Sequence, residues 1–527
     1  MYRKTGQISL RKNKGKVAND YLTQTIFIYH LFFDPYMYIM YCNAESIESM
    51  RRRYQSKKGS VIMYKIDFNH PVSVYFVGIG GISMSGLAEI LADAGFQVSG
   101  SDWHASPITK ALEAKGIPVK YGESAGHITD DIDCAVLTSA VHENNLEFQA
   151  IRERKIPYLS RAELLGQLMK NYDTPIAISG THGKTTTTSM VSDILLKAGT
   201  DPTLSIGGML KSIGGNIRVG KSGYFVTEAC EYTNSFLSFF PKIGIILNIE
   251  EDHLDFFKDL EDIRHSFRKF AGLLPADGCL IINGAIPNYS EITKDLPCKV
   301  ITYCNSRNTS EGVPADYYPD QIEYDAFGHP SFLLHNGKES VRSFHLKVPG
   351  EHNISNALAA IALADVLGID NSITADALQS FSGTNRRFEY KGTIGGVTVI
   401  DDYAHHPTEI TATLSAAENH PHKTLWCVFQ PHTYTRTKAF LKDFAQALSL
   451  ADKVILADIY AARETDSLGI SSETLKKEIE ALGHEAFYFP TFDEIENFLL
   501  ENCINGDLLI TMGAGDVHKI GENLLGI

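Results

Sequence analysis

Residues Gly180-Thr181-His182-Gly183-Lys184-Thr185-Thr186-Thr187-Thr188 lie between an apolar run, Ile176-Ala177-Ile178, and a helical pattern from Ser189 to Leu196. A strand, a glycine loop and a helix start, in that order, make a phosphate cradle. Glycines let backbone N–H groups approach phosphate oxygens, and the helix N-terminus favours the anion. Lys184 can reach the β- and γ-phosphates, and the Thr185 hydroxyl suits Mg²⁺. The general pattern places its first glycine five residues before the Gly-Lys pair, where this chain has Ile178, so the loop is tighter and opens at Gly180. The plain alternative is a Thr-rich turn before a helix; Gly-Lys-Thr straight after a buried strand favours the phosphate site.

A chain of 527 residues has room for about three domains. With 44% hydrophobic and 21% charged residues it reads as an ordinary globular protein, and the net charge of −15 disfavours generic binding to nucleic acid or to an anionic membrane. A nucleotide must then be held by local loops rather than by a global field. The eight cysteines are scattered without a C-x-x-C, which points to free thiols and a cytoplasmic protein, not to a disulfide frame or a zinc site. Residues 1–62 differ from the rest. They open basic, pass through an aromatic, apolar run from Ile26 to Cys42 broken by His30, Asp34 and Pro35, and meet Arg51-Arg52-Arg53. The run is short and polar for a membrane helix. This stretch is expected to be an extension, disordered or arising from an upstream start, with Met63 as the natural start.

Three nucleotide-type modules are expected, at 63–170, 171–385 and 386–527. In the first, the strand Val72–Val77 leads into Gly78-Ile79-Gly80-Gly81-Ile82-Ser83 and a helix, and a second strand ends on Asp102. This is a βαβ pattern with a Rossmann-like loop, but Ser83 replaces the third glycine, so the loop suits any phosphate-bearing ligand and speaks weakly for NAD. Asp102 suits either a sugar hydroxyl or a cap on the next turn. Thr138 and Ser139 reach the same edge from a further strand. In the second module the strand Tyr224–Thr227 ends at Glu228, with Glu231 three residues on, and the strand Ile243–Leu247 ends at Asn248, before Glu250-Glu251-Asp252-His253. Ligands of α/β sheets bind at the carboxyl ends of strands, so both acidic groups arrive beside the phosphate loop, where carboxylate and imidazole suit Mg²⁺. His352 and Asn353 precede a helix from Ile354 to Leu367, where Asn is also a common cap. Arg386-Arg387 suit a phosphate clamp or a solvated hinge. In the third module four strands end at Asp401-Asp402-Tyr403-Ala404-His405-His406, at Gln430-Pro431-His432-Thr433-Tyr434-Thr435-Arg436, at Asp458 and at Gly513-Ala514-Gly515-Asp516. Substrate contact is preferred over a metal for His405-His406, because adjacent side chains point apart.

These motifs, in this order, resemble the Mur ligase family from about Met63 to Ile527. The telling segments are Gly78–Gly86, Gly180–Thr187, Asn248–Asp255, Val348–Asn356, Asp401–Ile410, Gln430–Thr437 and Gly513–Asp516. The resemblance implies an α/β protein of three domains: a Rossmann-like UDP-sugar domain, a central P-loop ATPase and a C-terminal Rossmann-like domain that admits an amino acid. It implies ATP and Mg²⁺ as cofactors, and transfer of the ATP γ-phosphoryl group to the lactyl carboxylate of UDP-N-acetylmuramate, followed by attack of the L-alanine amine. A sibling ligase that attaches a preformed peptide to the same UDP-sugar is the alternative. By matching position, Gly180, Thr181, His182, Gly183, Lys184, Thr185 and Thr186 would cradle ATP, with His352 and Asn353 facing the adenine and Arg387 the γ-phosphate. Thr185, Glu228 and His253 would hold metal. Lys184, His253, Arg387, His405, His432 and Arg436 would be catalytic, with Tyr403, His405 and Arg436 also lining the amino-acid site. Gly78, Gly80, Gly81, Ser85, Asp102 and Ser139 would hold the UDP-sugar. The partners are then UDP-N-acetylmuramate and L-alanine, and the chain a monomer or weak homodimer. One departure stands out: the family often has arginine at the position of Thr433. Outside the family, a P-loop kinase, an NAD-linked oxidoreductase and a non-catalytic nucleotide sensor are the other classes to exclude.

Overall fold

The computed structural model describes residues 64–138, 140–337, 342–462 and 464–527. The expectations for residues 1–62 and for Ser139 lie outside these.

The first sheet holds β1 (Ser73–Val77), β2 (Gln97–Asp102), β3 (Val119–Tyr121), β4 (Cys134–Leu137) and β5 (Tyr158–Ser160), all parallel in the order β3-β2-β1-β4-β5. Its topological switch falls between β1 and β4, and there the glycine loop opens into helix α1 (Ile82–Asp93). The module closes with α2 (Arg161–Met169), whose start is fixed by a capping box between Ser160 and Glu163.

The central sheet has seven strands: β6 (Thr174–Ser179), β7 (Thr203–Leu210), β8 (Gly215–Arg218), β9 (Tyr224–Ala229), β10 (Ile243–Ile246), β11 (Cys279–Asn283) and β12 (Lys299–Tyr303). Their order is β12-β11-β10-β6-β9-β7-β8, parallel except for β8, which pairs antiparallel with β7. Strand β6 is buried along nearly its whole length, as its unbroken apolar run demands of a strand covered on both faces. Helix α3 (Lys184–Lys197) begins one residue after Gly183, whose φ of +82° is left-handed; a Cβ there would lie 2.6 Å from Asn356 Oδ1. A small antiparallel sheet, β13 (Tyr318–Tyr324), β14 (Pro330–His335) and β15 (Arg342–His345), follows, and then α4 (Glu351–Val366), whose buried alanines let it pack directly on α3.

The third sheet comprises β16 (Glu389–Ile394), β17 (Val397–Asp402), β18 (Leu425–Phe429), β19 (Lys453–Leu456), β20 (Ala486–Tyr488) and β21 (Leu508–Met512) in the order β16-β17-β21-β18-β19-β20, with only β16 antiparallel. Two of its helices reach the site: α5 (Pro407–Glu418), capped by the His406 side chain, and α6 (Tyr434–Ala439), capped by Thr433.

The α/β architecture is the one the sequence leads to, with three differences. Strand β8 and the sheet β13–β15 are antiparallel additions, and β7 a parallel one, that no motif announces. Strand β17 runs on through Asp401 and Asp402 instead of stopping at Ile400; both carboxylates are buried, and Asp401 is paired with Arg386 Nε at 2.9 Å. Helix α4 starts at Glu351, so His352 and Asn353 stand in its first turn. Gly350 occupies the cap position, and Asn353 Nδ2 donates back to the Pro349 carbonyl at 2.7 Å.

Candidate functional site

Two cavities matter. The first, of about 610 Å³, opens at the carboxyl edge of the first sheet and is lined by Gly78, Gly80, Gly81, Ser101, Asp102, Trp103 and Thr138 among others. The Gly80 N–H donates to Asp102 Oδ2 at 2.8 Å and the Trp103 N–H to Asp102 Oδ1 at 2.8 Å, so Asp102 braces the glycine loop from the next strand. Below it Glu147 is buried, accepting from Ser101 Oγ at 2.6 Å and from Tyr75 Oη at 3.2 Å, and His127 Nδ1 approaches at 2.7 Å. Ser85 does not line this cavity; its hydroxyl donates to the Ile82 carbonyl within α1.

The second cavity, of about 270 Å³, lies between the central and third sheets and is lined by His182, Gly183, Thr186, Asn248, His352, Asn353, Arg387, Asp402 and Glu409, among others. Asn248 clamps the phosphate loop, accepting from the His182 N–H at 2.7 Å and donating to the His182 carbonyl at 3.1 Å. The helices are joined below by Thr187 Oγ1 donating to Asn356 Oδ1 at 3.2 Å.

Lys184 Nζ bonds the Gly180 and Thr181 carbonyls and pairs with Glu231 at 3.0 Å. Burial opposes its charge, and Glu231 more than offsets this, so its pKa is raised. Glu231 Oε1 is buried without a hydrogen-bond partner and lies 3.9 Å from His253 Nε2. His253 has a left-handed φ of +53°, a strained backbone for a non-glycine residue, and its ring stacks on Tyr232. Burial holds its pKa below the ordinary value. Glu228 is partly buried beside Thr185, and its Oε1 accepts from the Gly207 N–H at 2.5 Å; desolvation raises its pKa.

From His253 the contacts continue into the third module. Asp252 Oδ2 is 3.7 Å from His253, and Asp252 Oδ1 accepts from Arg436 Nη2 at 2.9 Å. Arg436 Nη1 donates to His432 Nδ1 at 3.2 Å, the His432 ring meets that of His405, and His405 meets Tyr403. Burial drives the His405 pKa down to about 3, and its Nδ1–H donates to the Tyr403 carbonyl at 3.0 Å, which leaves a lone pair on Nε2. The Arg387 guanidinium covers the Tyr403 ring and lies 3.7 Å from Glu409. The adjacent arginines therefore divide: Arg386 pins the third sheet, donating to Asp401, Gly513 and Gly515, while Arg387 faces the cavity.

His182, Glu250 and His406 bring ligand-type atoms within 4.8 Å of one another. His406, however, is committed to backbone: Nε2 donates to the Glu251 carbonyl at 3.1 Å and Nδ1 accepts from the Thr408 N–H at 3.4 Å. Asn356, Asp252, Asp402 and Glu409 are site residues that the sequence reading did not select. Asp402, whose pKa burial raises to about 6, ends an apolar strand and carried the same signal as Glu228, and Asp252 belongs to the acidic group already expected beside the phosphate loop; Asn356 and Glu409 have no local signature. Thr433 sits at φ +68° and accepts from the Arg436 N–H at 3.4 Å.

A glycine-loop cavity, a phosphate loop with carboxylate and imidazole at hand, and a third polar edge against it define an α/β enzyme that joins two substrates at the expense of a nucleotide. The chain belongs to the Mur ligase family: residues 73–173 match the model of the Mur ligase family catalytic domain, 178–364 the Mur ligase middle domain and 386–515 the Mur ligase glutamate ligase domain. It is 59% identical to the UDP-N-acetylmuramate–L-alanine ligase of Agathobacter rectalis, over 88% of this chain and 100% of that protein. It is 58% identical to that of Lachnospira eligens over the same shares. Among solved structures it is similar to the UDP-N-acetylmuramate-alanine ligase of Thermotoga maritima, with 30% identity, a TM-score of 0.71, and coverage of 86% of this chain and 98% of that one. A murein peptide ligase from Psychrobacter arcticus is 26% identical with a TM-score of 0.62, over 86% of this chain and 98% of that one.

Proposed function

We propose that the protein joins L-alanine to the lactyl carboxylate of UDP-N-acetylmuramate, converting ATP to ADP and phosphate in the cytoplasm. The observation that carries this is the unbroken run of contacts from Lys184 through Glu231, His253, Asp252, Arg436 and His432 to His405, which sets a phosphate loop against a polar edge of the third module. The high identity to alanine ligases supports the amino acid, and favours it over a preformed peptide.

A free carboxylate is a poor acylating agent. Its oxygen attacks the γ-phosphorus, the bond to the bridging oxygen breaks and ADP leaves, giving an acyl phosphate. The amine then attacks the carbonyl carbon, the C–O bond to phosphate breaks, and phosphate leaves. Lys184 and Arg387 neutralise the anions that must meet. His405, neutral at working pH with its Nε2 lone pair open, takes the proton shed by the amine. Its neighbour Arg436, fixed by Asp252, orients the amino-acid carboxylate. The first cavity holds the UDP-sugar, with the backbone N–H groups of the Gly78–Gly81 loop toward its diphosphate.

The residues fit divalent cations: the buried Glu231 Oε1, without a hydrogen-bond partner beside His253, and the partly buried Glu228 beside Thr185 bring hard oxygen and imidazole donors together. Thr185 and Glu228 would hold one Mg²⁺ and His253 a second, which when bound supply charge neutralisation at the phosphates. The test is phosphate release with ATP, Mg²⁺ and UDP-N-acetylmuramate, with and without L-alanine, and the product read by mass. Alanine-dependent release with a product one alanyl residue heavier is expected. Turnover only with a tripeptide or another amino acid would overturn the substrate assignment.

A further inference from the structure

Glu409 stands in the first turn of α5 and is nearly buried, its side chain 12% exposed. Its Oε1 lies 3.2 Å from Nδ1 of His182 in the phosphate loop and 3.7 Å from Nη1 of Arg387. Its Oε2 accepts from the His405 N–H at 3.1 Å and lies 3.3 Å from His405 Nδ1. Burial opposes its ionisation, and the neighbouring imidazoles of His405 and His182 together with the Arg387 guanidinium more than offset this, so its pKa lies well below the ordinary value and the carboxylate stays charged. One oxygen thus faces the ATP side and the other the amino-acid side.

We infer that Glu409 is a positioning residue that couples the phosphate loop to the amino-acid site, so that His182, Arg387 and His405 are set together only when α5 is docked on the central module. The inference rests on the ligase reading above. The directions of its contacts carry it: three separate segments, 180–188 of the central module and the nearer 383–388 and 403–406, converge on a single carboxylate. A residue that only caps α5 needs the His405 N–H and nothing more. The contacts to His182 and Arg387 have no part in capping.

Glu409→Gln separates the two roles, since glutamine keeps an acceptor for the His405 N–H and lacks the charge. Positioning predicts that KM for ATP and KM for L-alanine rise together, each about tenfold, with KM for the UDP-sugar unchanged. It also predicts that more than one phosphate is released per amide formed, because acyl phosphate made without a set His405 is lost to water. ATP affinity measured by calorimetry in the absence of the other substrates should fall by a similar factor, and this reading holds whatever the acceptor amine is. Wild-type turnover with L-alanine decides the ligase reading; the ratio of variant to wild type decides Glu409. Both KM values at the wild-type level, with one phosphate per amide, would overturn the inference. Should Glu409→Gln fail to fold, His182→Gln serves instead: a rise in the KM for L-alanine from this change in the phosphate loop supports the coupling, and an effect confined to ATP overturns it.

Discussion

The two seams of the molecule are built from different forces. Between the first and central modules, Leu168 and Met169 of α2 share one buried cluster with Phe225, Phe236 and Phe267 of the central module. Helix α2 comes so close that a Cβ on Gly166 would lie 1.9 Å from the Ser238 carbonyl oxygen. Between the central and third modules the buried clusters are separate, and polar contacts bridge them: Arg436 with Asp252, His182 with Glu409, His406 with the Glu251 carbonyl, and Thr408 Oγ1 with Glu250 at 2.7 Å. Apolar burial is undirected and survives small shifts, whereas hydrogen bonds and ion pairs are directional and can be exchanged for water or for ligand oxygens. The first seam therefore fixes the glycine-loop cavity, proposed above for the UDP-sugar, relative to the phosphate loop, and the second is where the site proposed for ATP and amino acid would open.

The largest expected effect is chemical and confined to the polar seam. Lys184→Ala should lower turnover by about a thousandfold or more, because it removes a fixed positive charge where the phosphoryl group transfers. UDP-sugar affinity, by calorimetry, should stay at the wild-type value; a parallel loss would break the separation of the two seams. Next, Arg436→Ala leaves Asp252 buried and unpaired, and breaking a buried pair destabilises by about 3–5 kcal/mol. In a calorimetric scan this should appear as a separate, earlier transition of the third module. A single transition shifted as a whole would mean that the two seams melt as one unit.

The same contrast explains what the sequence made legible. Gly180–Thr186, Glu228 and His253 could be placed at one sheet edge because an apolar parallel strand leads to each: β6 ends at Ser179, Glu228 is the penultimate residue of β9, and His253 lies in the loop beyond β10. The same signal brings Glu250 and Asp252 to that edge, but their partners in the third module, and Glu409 itself, could not be read, because no local period or cap records a docking. Glu409 reads locally as an ordinary acidic residue in a helix's first turn. Asp401 and Asp402 look like the end of a strand by polarity; Arg386 and Thr511 hydrogen-bond Asp401, and two backbone N–H groups bond Asp402, which keeps the strand going. The antiparallel strands β13–β15 carry too short and mixed a pattern to be told from loop.

A smaller effect probes the apolar seam. Gly166→Ala places a methyl group against the backbone of Ser238 and Phe239, which cannot rotate away as a side chain would. Overpacking of this kind destabilises by about 1–3 kcal/mol. Here the expected change is a rise in KM for the UDP-sugar and a lower melting temperature of the first two modules, with the KM for ATP nearly constant. A larger effect on ATP than on the UDP-sugar would show that the apolar seam, too, sets the phosphate loop.

The smallest effect is a pH dependence of the polar seam. His182 faces Glu250 at 3.5 Å and Glu409 at 3.2 Å, and its ring lies on that of His406, whose own pKa burial lowers. Burial opposes the His182 charge, but the two carboxylates more than offset this and raise its pKa from 6.5 to about 9. A pKa higher in the folded state means that folding favours the protonated ring. That stabilisation is fully present below pH 6.5 and is lost as pH rises through about 9. His182→Asn removes it. The melting temperature of the wild type should therefore exceed that of the variant most at pH 6, with the gap closing by about 1–3 °C between pH 6.5 and 9. A gap that stays constant across this range would mean that His182 is neutral in the folded protein and that the seam is held by hydrogen bonds alone.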